Sequence, residues 1–282
     1  MAATVQSHSI TNIANSVTSL AITKPSSTVD GELMVAALVY NGSSNPFTAP
    51  AGWTLISDSN SANSVPKGLV TYYRVASSEG SSYTWTLSSN TAGGAILRIS
   101  DVGGSPLGAS SASTSGSSDT GTPSPTPSGL TPSQTNSLLL AFTVAYQDSA
   151  ATFTSTAGYA IATDNPSWTE QYDNNFSTGL GKLSQAMAWA LRSQSTATGT
   201  LSFTTNVNVQ RYATQLIAIT RFDAQTFTET VTCSDSGTTN NVGFNLTVSD
   251  LVTPSDTVIS EKQKTWATEN KSSTTWTNID KS

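Results

Sequence analysis

A chain of 282 residues with a net charge of −6 and only 11% charged residues is long enough for one large or two ordinary domains. Its twelve Lys and Arg are outnumbered by eighteen acids and scattered from Lys24 to Lys281, which excludes a basic face for nucleic acid. Ser, Thr, Asn and Gly fill the space that charge leaves; they compete with helical backbone or favour turns, so the expected class is all-β.

In chain order, the first signal is a weakly alternating run in which Val17, Ser19 and Ala21 oppose Thr18, Leu20 and Ile22 before Lys24-Pro25 stops it, as in an edge strand. Asp30-Gly31 then turns into Leu33–Tyr40, a run apolar on both faces that belongs centrally between two layers. Asn41 to Pro46 reads as loop, and Ala49-Pro-Ala-Gly-Trp53 delivers a large aromatic directly after a turn, where it can cap the open end of a sandwich. Short strands follow from Trp53 to Ser57, Leu69 to Ala76, Tyr83 to Ser88 and Gly94 to Val102. Residues 103–135 have the Ser/Thr/Gly/Pro composition of a linker, although Leu107 to Ser115 would be a second edge strand if the pattern repeats.

It does repeat. Leu138, in Asn136–Tyr146, stands 105 residues after Leu33, and Ala157-Gly-Tyr159 follows Ala51-Gly-Trp53 at 106. Trp189–Arg192 follows Tyr73–Ala76, and Gly199–Phe203 follows Tyr83–Leu87, both at 116; Ile217–Phe222 follows Leu97–Val102 at 120. The spacing grows only between apolar blocks, as it does when a duplicated module carries loops of unequal length. The expected architecture is two tandem jelly-roll-like β-sandwiches, residues 1–105 and 106–224 (the latter with the lead-in 106–135), followed by an extended β-rich C-terminal arm over 225–282. One large sandwich with a sheet from each repeat is the rival.

In the arm, Phe227, Glu229, Val231 and Cys233 alternate with threonines, and Val242, Phe244, Leu246 and Val248 with Gly243, Asn245, Thr247 and Ser249. Such half-apolar strands, too short a stretch to enclose a core, need a surface to lie against. The tail echoes itself in Trp266-Ala-Thr-Glu-Asn-Lys271 and Trp276-Thr-Asn-Ile-Asp-Lys281. In a continuous strand Trp266 and Trp276 share one face, roughly 33 Å apart, with Lys271 and Lys281 on the other. Two bare tryptophans on one side of a tail would be adhesive; these four residues are the expected assembly contacts, the plainer alternative for so polar a stretch being a disordered solubilising end.

Catalytic chemistry is sparse. His8 is the only histidine and no Gly-x-Ser-x-Gly elbow occurs, so neither a Ser/His/Asp nor a Cys/His mechanism is expected. No Cys/His set suits zinc and no glycine-rich phosphate loop opens a helix; the reading is of no cofactor, no metal and no enzyme. The lone Cys233 cannot close an intrachain disulfide and reads as a small buried residue. Asp148, Asp164, Glu170 and Asp173 are the only carboxylates placed for glycoside hydrolysis, and turn chemistry is their plainer role. The longest apolar runs are about half a bilayer span, and the N-terminus lacks the basic start and apolar core of a signal sequence.

The richest candidate site is Asp164–Gly179, where Trp168, Tyr172 and Phe176 recur every four residues, with Asp173 among them. Aromatics with polar neighbours on a loop can stack on sugars or anchor a partner; the plainer alternative is that they fold back over their own sandwich.

Val29-Asp-Gly-Glu-Leu-Met34, Ala49–Ile56, Val70–Ala76 and Tyr83-Thr-Trp-Thr86 together resemble a β-sandwich module that recurs in virion structural proteins of tailed bacteriophages and in related bacterial surface proteins. Phe227–Asp235 and Leu246–Asp250 are similar to Thr/Val/Ser-Asp repeats of phage tail and fibre-like proteins, and the Trp-x-x-x-x-Lys-Ser ending looks like their terminal arms. The resemblance implies a non-enzymatic virion protein, a capsid decoration, head fibre or tail component. Its partners would be further copies in a homo-oligomer such as a trimer, and capsid or tail proteins. It would be made in the host bacterial cytoplasm and reside in the virion, with no nucleic-acid binding and no membrane insertion. The alternative is a carbohydrate-binding adhesin or receptor-binding module that takes a host surface glycan during attachment.

Overall fold

A strand apolar on both faces must be covered on both. In the computed structural model, which describes residues 2–61, 67–110, 114–117, 127–147, 153–154, 166–176, 182–199, 201–205, 211–221, 226–233 and 244–251, two antiparallel sheets meet that requirement together. The first repeat supplies β1 (Thr4–Thr23), β2 (Leu33–Asn41), β3 (Phe47–Thr48), β4 (Thr54–Asn60), β5 (Lys67–Val75) and β6 (Ser82–Ser100). Their order is β1-β6-β2-β5-β4, with β3 on β6. The second supplies β7 (Val102–Ser110), β8 (Thr114–Ser117), β9 (Ser137–Gln147), β10 (Phe153–Thr154), β11 (Thr169–Phe176), β12 (Lys182–Arg192), β13 (Thr204–Thr205) and β14 (Arg211–Arg221). Their order is β7-β14-β9-β12-β11, with β8 beside β14 and β10 paired with β13. Among the described residues there is no helix, hence none long and apolar enough to cross a membrane.

The two sheet orders are the same, and so is the hydrogen-bonded register. Leu33 pairs with Val75 on one side and Ile99 on the other, and Leu138 pairs with Leu191 and Ile219. Thr54 pairs with Tyr73 and Thr169 with Trp189, after which each edge strand slips by one residue, at Ile56 and at Gln171. Phe47-Thr48 and Phe153-Thr154, a dipeptide repeated at a spacing of 106, each form a two-residue strand.

Alternation along β2 sends Leu33, Val35, Ala37 and Val39 to one face and Met34, Ala36, Leu38 and Tyr40 to the other. Along β9 it separates Leu138, Leu140, Phe142 and Val144 from Leu139, Ala141 and Ala145. The first set from each strand joins one cluster, so the sheets face each other across a shared core. Each sheet then covers its back with its own chain. β1 and β6 pair along nearly their whole length, and register shifts around Ala14 and Val17, with a left-handed φ of 54° at Ser16, let the ribbon bend. The bend carries Leu20, Ile22, Tyr83, Trp85 and Leu87 onto the outer cluster of β2 and β5. Tyr83–Ser88 and Gly94–Val102, expected as separate strands, are therefore joined: the first and the second as far as Ser100 form the two arms of one long β6, and Val102 opens β7. In the second repeat Leu130, Leu201 and Phe203 take the covering role.

The expectation of two independent sandwiches thus changes: Met1–Asp223 is one unit, because a module covered on its outer face alone would leave an apolar inner face in water. The boundary drawn at 105 falls inside β7, which pairs with β14 of the second sheet through Leu107 and Ile219. Leu107 to Ser115 lies where β7 and β8 supply the anticipated edge.

Trp53, expected at the open end of a sandwich, instead packs within the first outer layer, 8% exposed, edge-on to Tyr83 and tilted against Trp85, both at 5.1 Å. Gly52, at φ 84°, makes the turn that delivers it. Gly68 serves by its lack of a side chain: a Cβ there would lie 2.0 Å from the Tyr40 ring that covers it.

Ala224–Ser282 form a second unit. Its described part is an antiparallel ribbon of β15 (Thr226–Cys233) and β16 (Phe244–Leu251). Val242, Trp266, Lys271, Trp276 and Lys281 lie outside the described residues.

Candidate functional site

The stretch expected as an aromatic loop is, where described, mostly the edge strand β11 on β12. Residues 168, 172 and 176 would share a face of a regular strand, but the slip at Gln171 inverts the alternation. Trp168 accordingly packs half-buried against the second outer layer, whereas Tyr172 is 5% exposed in the shared core. Phe176 pairs with Leu183 at the far end of the strand. Of the two roles expected for Tyr172, its place is therefore that of a packed ring, in the shared core. Asp173 is half-buried and Glu170 exposed on the same strand, while Asp148 and Asp164 lie outside the described residues.

What the structure gathers around Tyr172 is a polar weld between the repeats. Gln185 Nε2 donates to the Tyr172 hydroxyl at 2.9 Å and, across the core, to the Ala37 carbonyl at 3.1 Å. Burial raises the Tyr172 pKa and the bond from Gln185 only partly opposes it, so the hydroxyl stays neutral. Gln171, displaced by the slip, accepts from Trp189 Nε1 at 3.1 Å through Oε1 and sets its Nε2 at 2.9 Å from His8 Nδ1. Because that Oε1 is occupied, the amide nitrogen is the donor and Nδ1 the acceptor, which places the imidazole proton on Nε2 of a neutral ring. Burial lowers the His8 pKa in the same sense. The His8 ring also lies tilted against Tyr172, 5.5 Å between centroids.

A second weld was unmarked by any motif. Gln215 Oε1 accepts from Thr71 Oγ1 at 2.6 Å, and its Nε2 donates to the carbonyls of Leu69 at 2.9 Å and Ser57 at 3.2 Å. The available signal was a glutamine in the middle of an apolar central strand, since a fully buried amide needs partners.

These groups join the two sheets. His8 bonds to no hydroxyl, thiol or carboxylate among the described residues, and no group of three His, Cys, Asp or Glu there could hold a metal. No protein-family model, curated protein or solved structure matches the chain.

Proposed function

We propose that this chain is a non-enzymatic structural protein of a tailed-bacteriophage virion, a capsid decoration, head fibre or tail component that presents its paired sheets and assembles through its C-terminal part. The observation that carries the reading is the β15–β16 ribbon. Among the described residues its strands pair only with each other. The register sets Val231 opposite Leu246 and Cys233 opposite Phe244, with Glu229 opposite Val248 and Phe227 opposite Asp250 further along the same row, and Thr230 opposite Thr247 in the alternate row. A two-stranded ribbon whose better row is apolar at one end only is marginal by itself in water. It gains stability by adding its edges or that apolar end to a neighbouring subunit, which fits a homo-oligomer such as a trimer or a contact with capsid or tail proteins. The sequence resemblance to phage virion modules and terminal arms supports the same reading. The glycan-binding alternative has lost part of its support with the burial of Tyr172.

Truncation after Asp223 should yield a soluble β protein with the melting transition of the full chain's paired sheets, yet one that no longer joins particles or oligomers. Normal incorporation of the truncated chain would sink the role of the arm.

A further inference from the structure

At one end of the shared core, cations from both repeats converge on a single ring. Lys67 opens β5 and is 4% exposed; its Nζ lies 2.7 Å from Asn41 Oδ1 and 4.4 Å from the centroid of Tyr146, on β9. Arg211 opens β14, is paired in register with Tyr146 and holds its guanidinium carbon 5.5 Å from the same centroid. Its Nε is buried and has no acceptor among the described residues.

In the first repeat two cations do meet carboxylates: Arg74 meets Glu79, and Arg98 meets Glu32, both at 2.6 Å. Neither Lys67 nor Arg211 has a carboxylate partner among the described residues. Burial first, then the neighbouring guanidinium, pushes the Lys67 pKa down to about 8. The face of one tyrosine and one amide oxygen offset only part of what two converging cations lose in leaving water.

We infer that Lys67 and Arg211, flanking Tyr146 and backed by Asn41, form a binding site for a small oxyanion of the carboxylate or sulfate class. An ammonium has three donors, and Asn41 uses one. A guanidinium edge and an ammonium proton suit the oxygens of such an anion, and charge-assisted bonds of this kind are the strong ones. Tyr146 and Arg211 are only half-buried, so each keeps surface that an ion in solution can reach. The site does not depend on the virion reading.

The test is calorimetric titration of the full chain with sodium sulfate and, separately, sodium acetate at constant chloride and neutral pH, with melting temperature followed in parallel. Saturable binding of either anion at one site per chain is expected, weakened about tenfold or more in Arg211→Gln and lost in Lys67→Met. Acetate binding would show that a planar carboxylate is accepted, and sulfate binding alone a preference for the tetrahedral ion. If Lys67→Met fails to fold, the half-buried Arg211→Gln decides. A wild-type response no greater than that to chloride, or wild-type affinity in Arg211→Gln, would overturn the inference.

Discussion

Set side by side, the two repeats agree in everything the backbone does and differ in what fills the space between them. In the first sheet one row across the shared face reads Thr71, Ala37, Ala95; the matching row of the second reads Met187, Phe142, Gln215. Leu69 of the first stands where the second has Gln185, and Tyr40 over Gly68 where the second pairs Ala145 with Ser184. The end of the first sheet is closed by the Glu32–Arg98 ion pair, whereas buried Arg192 of the second bonds the carbonyls of Thr196 and Ala197. One side is small where the other is large, and the long amides of the second sheet end on carbonyls of the first. The repeats are complementary rather than interchangeable, as close packing of two different surfaces demands.

The most damaging way to break this complementarity is Phe142→Ala, which gives the second sheet the smaller residue of the first. A fully buried phenylalanine replaced by alanine should cost about 3–5 kcal/mol in urea unfolding. Exchanging both residues, Ala37→Phe with Phe142→Ala, restores volume on the wrong sheet and should recover only part. Full recovery would mean that the repeats are interchangeable after all.

A smaller loss is expected from Gln215→Ala, again the residue of the first repeat. It strips the acceptor from the buried Thr71 hydroxyl and should cost about 1–3 kcal/mol. In that background Thr71→Val should cost less than it does in the wild type. Equal costs in the two backgrounds would refute a direct coupling.

The smallest effect concerns the His8 contact. Folding lowers the His8 pKa from its ordinary 6.5, so the native state favours the neutral ring. Stability should hold above about pH 6.5, fall as the pH drops from there through the native pKa, and level off below it. Protonated Nδ1 could no longer accept from Gln171, which would have to turn its amide and release Trp189 Nε1. His8→Gln should flatten this part of the pH profile of urea midpoints between pH 8 and 5; an unchanged slope would assign it to other groups.

Much of this comparison was legible before any coordinates. The double-faced runs at Leu33 and Leu138, the spacings that map Ile99 onto Ile219 and the edge strand near Leu107 are all local signals. Period-two alternation and turn residues act over a few positions, and a duplication keeps them in step.

What the sequence by itself determined, then, is which residues alternate, which strands carry apolar side chains on both faces, and that a module occurs twice. Only the tertiary structure decided that the two inner faces cover each other rather than separate partners, because apolarity records a need for burial but names no neighbour. It also decided the fate of single residues. One slipped position at Gln171 turned Tyr172 inward, and the amides of Gln185 and Gln215 found carbonyls more than a hundred residues away. Lys67 and Arg211 came together on one ring because two sheets packed face to face, a juxtaposition to which no spacing along the chain corresponds.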